Sequence, residues 1–180
     1  MVSGLFSFSL WMSRLTFLVF ALVILVVQLV PLDLRPATWA PPDLLLPFTL
    51  AWMARRPDYL PVWMVAGLFL VADMLLMRPP GLYAAMVVIF AETIRSKALE
   101  RRFTTFGGEW ATVTFGIVTI AVLNRVVHFA VVLPQAPLGL TVLETALTVA
   151  VYPLVVFVTH YLFGVIRPAP GEADDRGRVL

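Results

Sequence analysis

The residues that could do chemistry sit inside apolar runs. Asp73 interrupts "LPVWMVAGLFLVADMLLM", and "LNRVVHF" sets Asn124, Arg125 and His128 into another run. On a helix, residues three and four apart share a face, so His128 neighbours both Asn124 and Arg125. Glu144 stands near the start of the last run. A charge in lipid costs a few kcal/mol and therefore faces a cavity or a partner. For Asp73 that means substrate binding, proton transfer, or an ion pair that locks two helices. The absence of another catalytic set favours the ion pair.

Depth suggests the partners. Asp73 lies about 6 Å below the end of its run, His128 about 7 Å and Arg125 about 12 Å below the end of theirs. Glu144 lies one to two turns into the sixth run. These heights predict one polar cluster of Asp73, Asn124, Arg125, His128 and Glu144 in the outer half of a bundle. Within it, Asp73 is expected to pair with Arg125, directly or through His128. Heights do not say which faces meet.

The elements that must position these residues are membrane helices. The chain is 61% hydrophobic and only 13% charged, with a mean hydropathy of +0.93. A soluble domain carries roughly 25% charged residues. Too little polar material is present to cover a globular surface in water, so the chain reads as an all-α polytopic membrane protein. Six spans are expected over residues 15–31, 43–54, 60–77, 81–97, 110–133 and 140–166, as one domain, with a polar cytoplasmic tail over 167–180 that reads as disordered. The first run is long for a signal peptide and no Ala-x-Ala pattern follows it. The second run, at about eleven residues, is short for a crossing and leaves a re-entrant segment as the rival. "DLRPATWAPPD", with Trp39, reads as an interfacial loop.

Basic residues test this layout. With a cytoplasmic amino terminus and six crossings, ten of the 13 Lys and Arg residues fall inside: Arg14, Arg55, Arg56, Arg95, Lys97, Arg101, Arg102, Arg167, Arg176 and Arg178. Arg35 and Arg78 fall outside and Arg125 within a span. Such a bias sets orientation. A re-entrant second run would invert it, so a true crossing is expected, with both termini cytoplasmic and "RRP" a turn at the headgroups.

Other features are read more plainly. Gly81, Ala84, Ala85, Val88 and Ala91 give the fourth span a small-residue face for packing or for a partner helix. Glu92 is placed to pair with Arg95 along its own helix. Arg95, Lys97, Arg101 and Arg102 form a basic segment suited to anionic lipid headgroups, and too short to argue for nucleic acid. With no cysteine, disulfides, thiolate metal sites and cysteine nucleophiles are excluded. No Gly-x-Ser-x-Gly, phosphate-binding loop, His-Glu-x-x-His or Gly-x-Gly-x-x-Gly is present. No cofactor, metal site or enzymatic activity is expected.

Short motifs carry a resemblance. They are Pro41-Pro42-Asp43 before the short run, Trp52 with Arg55-Arg56-Pro57 at its end, then Pro61, Gly67-Leu68 and Asp73, and Pro79 or Pro80 with Gly81, Leu82 and Ala84. In these, and in size and span count, the chain resembles MreD, the rod shape-determining membrane protein family, in an alphaproteobacterial style. The motifs cover about a quarter of the chain. The resemblance implies a non-enzymatic inner-membrane scaffold of cell elongation and peptidoglycan synthesis. It implies MreC as partner, through its transmembrane helix, within a machinery that includes MreB, RodA and a class B penicillin-binding protein. It also implies the architecture of the substrate-binding subunits of energy-coupling-factor transporters. Small-molecule binding, a vitamin for instance, is therefore the alternative function. Those subunits carry Ala-x-x-x-Ala patches on the first span, which "LTFLVFALVILVV" lacks.

Overall fold

In the computed structural model, which describes residues 2–30, 40–100, 105–133 and 135–163, every regular element among those residues is a helix. They are α1 (Val2–Leu29), α2 (Leu45–Arg55), α3 (Val62–Leu75), α4 (Leu82–Leu99), α5 (Phe106–Ala130) and α6 (Leu138–Phe163). The loop around Trp39, the pair Arg101 and Arg102, and the tail from 167 lie outside the described residues. The helices fall over the six apolar runs to within a few residues, except that α1 begins at Val2 and so carries Arg14 inside it.

Three helical segments are long and apolar enough to cross a membrane: Leu10–Leu29, Phe106–Ala130 and Leu138–Tyr161. The chain is a membrane protein on that ground. α3 is apolar but has 14 residues, and α2 has 11. At 1.5 Å per residue α2 covers roughly 16 Å, about half a hydrocarbon core.

The short α2 is the centre of the bundle. Every residue from Leu45 to Ala54 is buried. A helix that is apolar all round must be enclosed, and α1, α4, α5 and α6 all pack on it. Phe17 of α1 stacks on Phe48 with ring centroids 5.3 Å apart and meets Trp52 edge-on at 5.5 Å.

Successive helices alternate in direction, as the contacts at each end show. Gln28, late in α1, and Tyr83, early in α4, both bond Asp43 just before α2. At the other end, Arg55 closes α2 against Glu109 in the first turn of α5.

Local chemistry explains the helix ends. α3 and α5 finish in the same double bond. Arg78 N–H donates to Asp73 O and Met77 N–H to Met74 O, while Leu133 N–H donates to His128 O and Val132 N–H to Phe129 O. This arrangement needs a left-handed residue, usually glycine. Here Met77 (φ 54°) and Val132 (φ 56°) fill the position. Inside α6, Pro153 has no N–H to offer the carbonyl four residues back. That carbonyl belongs to Val149, and the Trp110 indole of α5 donates to it at 3.3 Å. An unsatisfied carbonyl in lipid costs several kcal/mol, so the indole lets the proline stay.

α4 turns Ala84, Val87, Ala91 and Ile94 inward at helical spacing. Of the small-residue face read from the sequence, Ala84 and Ala91 are buried, Val88 is half-buried and Ala85 is exposed. α4 meets α5 at Gly116, where an added Cβ would overlap the Phe90 ring.

A polar cavity at one end of the bundle

Asp43 organises this end. Its Oδ1 accepts from Leu45 N–H (3.0 Å), Leu46 N–H (3.2 Å) and Gln28 Nε2 (3.3 Å). The first two are the donors that a helix start leaves unpaired, so Asp43 caps α2. Its Oδ2 accepts from Tyr83 Oη at 2.8 Å and lies 3.9 Å from Arg78 Nη1. Its own N–H donates to Thr148 Oγ1 at 3.0 Å, and that hydroxyl donates to Glu144 O at 2.7 Å. One aspartate thereby ties α1, α2, α4 and α6 together.

Arg78 lies over the Tyr83 ring, 4.6 Å from its centroid. Burial works against its charge, but Asp43 and the neighbouring negative groups outweigh that and move the guanidinium up from its ordinary value. The sequence had placed Arg78 simply in an outer loop.

Behind Asp43 opens a cavity of about 220 Å³. Asn124, Arg125, His128 and Glu144 line it, with Asp43, Arg78, Tyr83, Gln135, Thr141 and Thr148. Arg125 Nη1 donates to Ala136 O (3.1 Å) and Thr141 Oγ1 (3.0 Å), which fastens the α5–α6 connection. Gln135 Nε2 returns a bond to Arg125 O at 3.3 Å. His128 Nδ1 stands 2.7 Å from Asn124 O. A carbonyl only accepts, so Nδ1 carries a proton in this bond.

Asp73, the fifth member of the expected cluster, is elsewhere. It is fully buried and its Oδ2 accepts from Gly81 N–H (3.0 Å) and Ala84 N–H (3.1 Å) at the start of α4. Among the described residues its Oδ1 is buried without a hydrogen-bond partner. The expected pair with Arg125 is not formed: neither residue belongs to an ion pair among the described residues. Equal depth did not bring the two to one face. Gly81 has φ +85°, which suits a glycine at this tight start.

The opposite end holds a network that the sequence reading missed. Glu109 is fully buried. Its Oε1 accepts from Tyr152 Oη at 2.6 Å and from Arg55 Nε at 3.4 Å. Arg55 thus turns into the bundle rather than toward headgroups, while Arg56 lies over Tyr59 at 5.6 Å. The signal available was an acidic residue in the first turn of a span, level with two arginines. Pro57 follows Arg56 in the turn, Pro42 leads into the Asp43 cap, and Gly67 faces outward with open space around it. Arg95 pairs with Glu92 at 3.3 Å, and Lys97 lies in the last turn of α4. Among the described residues no group of three or more His, Asp or Glu side chains converges to hold a metal ion.

Compared with family models, curated proteins and solved structures, the chain matches none. What fold and site define is a class: an all-helical membrane protein built around a short, enclosed helix, with a charged cavity at one end.

Proposed function

We propose that the chain is a non-enzymatic scaffold of the bacterial cell-elongation machinery, a member of the MreD family in the inner membrane. In this reading it crosses six times with both termini cytoplasmic, and the bundle's cavity end faces outward. It binds the transmembrane helix of MreC and supports peptidoglycan synthesis beside MreB, RodA and a class B penicillin-binding protein. The bias of basic residues supports the orientation.

The observation that carries the reading is the work of the motif residues. Asp43 caps α2, Arg55 pairs with Glu109, and Asp73 with Gly81 starts α4. The motif's charges are engaged in architecture, and the outward helix faces are left for a partner. Deleting the gene should round the cells and lower MreC recovery in membrane pull-downs. Rod shape kept in a clean deletion, with no redundant copy, sinks the proposal.

The cavity favours one second reading, a small-molecule subunit of an energy-coupling-factor transporter. Pockets for drug-sized ligands run to about 300–1,000 Å³, and this one has about 220 Å³. The cavity lies below that range, which ranks this reading second. A thermal-shift screen against vitamins separates the two.

A further inference from the structure

The cavity holds two opposite charges that do not meet. Glu144 of α6 has a carboxylate with no hydrogen bond or ion pair among the described residues; its backbone oxygen alone is used, by Thr148. Arg125 of α5 has only neutral acceptors, Ala136 O and Thr141 Oγ1, both taken by Nη1. Among the described residues the rest of its guanidinium fork has no partner. Both residues line the same space.

The other charges here are already committed. Asp43 uses both oxygens, and Arg78 lies against Asp43 and Tyr83 and reaches Glu144 only through space, without an ion pair among the described residues. Arg125 and Glu144 are both half-buried and open to the cavity. Two such groups on adjacent helices, lining one cavity and not paired with each other, are complementary to a guest with the reverse pair of charges. The volume, about 220 Å³, is several times the ~30 Å³ share of one water. It suits a compact solute or headgroup.

We infer that this cavity binds a small zwitterion, whose anionic group meets the Arg125 fork and whose ammonium meets Glu144. A planar guanidinium takes a carboxylate or phosphate with two parallel bonds. His128 and Asn124 line the same cavity and offer further polar contacts. An amino acid carries this pattern, and so does the phosphoethanolamine headgroup of a membrane lipid. The site stands whether or not the chain is the elongation scaffold.

The test uses the purified full chain and follows thermal unfolding by tryptophan fluorescence. One arm adds millimolar glycine, alanine or phosphoethanolamine to protein in detergent. Propionate and ethylamine, with one charge each, are the comparison. A second arm compares nanodiscs of phosphatidylethanolamine and phosphatidylglycerol with nanodiscs of phosphatidylglycerol alone. A ligand that binds only the folded state raises Tm. Stabilisation by the free zwitterions assigns a soluble guest, and stabilisation by the ethanolamine lipid alone assigns the headgroup. Glu144→Gln keeps size and loses the charge, and should weaken the response about tenfold or more. The inference is overturned if neither arm stabilises, if either single-charge compound matches the zwitterions, or if a folded Glu144→Gln responds like the parent. If that variant does not fold, the comparison of zwitterions with single-charge compounds on the parent decides alone.

Discussion

Asp73 belongs to two helices at once through its tie to Gly81. Its carbonyl oxygen accepts from Arg78 N–H at 2.9 Å and closes α3, while its Oδ2 accepts from Gly81 N–H at 3.0 Å and opens α4. Asp73→Ala strands the Gly81 and Ala84 donors, each worth about 1–3 kcal/mol when left unpaired and buried. Asp73→Asn keeps an acceptor and should lose less. Adding Arg125→Gln should not rescue Asp73→Ala, because the two residues share no bond and their effects should add. Membrane abundance and thermal unfolding of the single and double variants measure this. A double variant better than Asp73→Ala would restore the ion pair.

Glu109 is the acceptor for both Tyr152 and Arg55. Removing one member of a buried pair costs about 3–5 kcal/mol, so Glu109→Ala should unfold the chain at markedly lower temperature. Tyr152→Phe removes one bond and should cost about 1–3 kcal/mol. Equal effects from the two would mean that Arg55 draws nothing from Glu109.

Gly116 gives Phe90 its seat. Gly116→Ala pushes the ring out, and overpacking of this kind costs about 1–3 kcal/mol. Phe90→Leu in the same chain should recover part of the loss. A neutral Gly116→Ala would show that the ring moves freely.

Val132 holds a left-handed conformation, φ 56°, with a branched side chain that is 89% exposed. Glycine there removes the steric cost without removing a contact. Val132→Gly should raise stability by about 1 kcal/mol, since the left-handed region costs an L-residue about 1–2 kcal/mol. A lower unfolding temperature would contradict it.

The proposed orientation has its own measurement. Reporter fusions at Gly107 and Gln135 should read cytoplasm and periplasm respectively, from the basic-residue bias. The reverse pattern rules the six-crossing layout out.

Helix positions were legible because apolar runs and Pro/Gly breaks are one-dimensional signals. The heights of Asn124, Arg125, His128 and Glu144 were legible for the same reason, and those four do share a cavity. The place of Asp73 was not, because depth along a helix carries no azimuth. Asp43 was read only as part of a motif. Its position two residues before an apolar helix is that of a cap, and that signal went unused. Nothing in the sequence around Gly116 distinguishes it from any glycine in a helical run. The ring that fills its place comes from another helix.

The enclosure of α2 has a consequence for biogenesis. A translocon releases a segment sideways into lipid according to its own apolar length, and α2 at 11 residues is about half of what a lone helix of about 20 residues needs. Left by itself, its Asp43 cap would also lie without Tyr83 and Thr148, which arrive 40 and 105 residues later in the chain. The heart of the bundle therefore completes its bonds only after α4 and α6 are made. A ribosome stalled before α6 would leave a nascent chain whose central helix still lacks that enclosure.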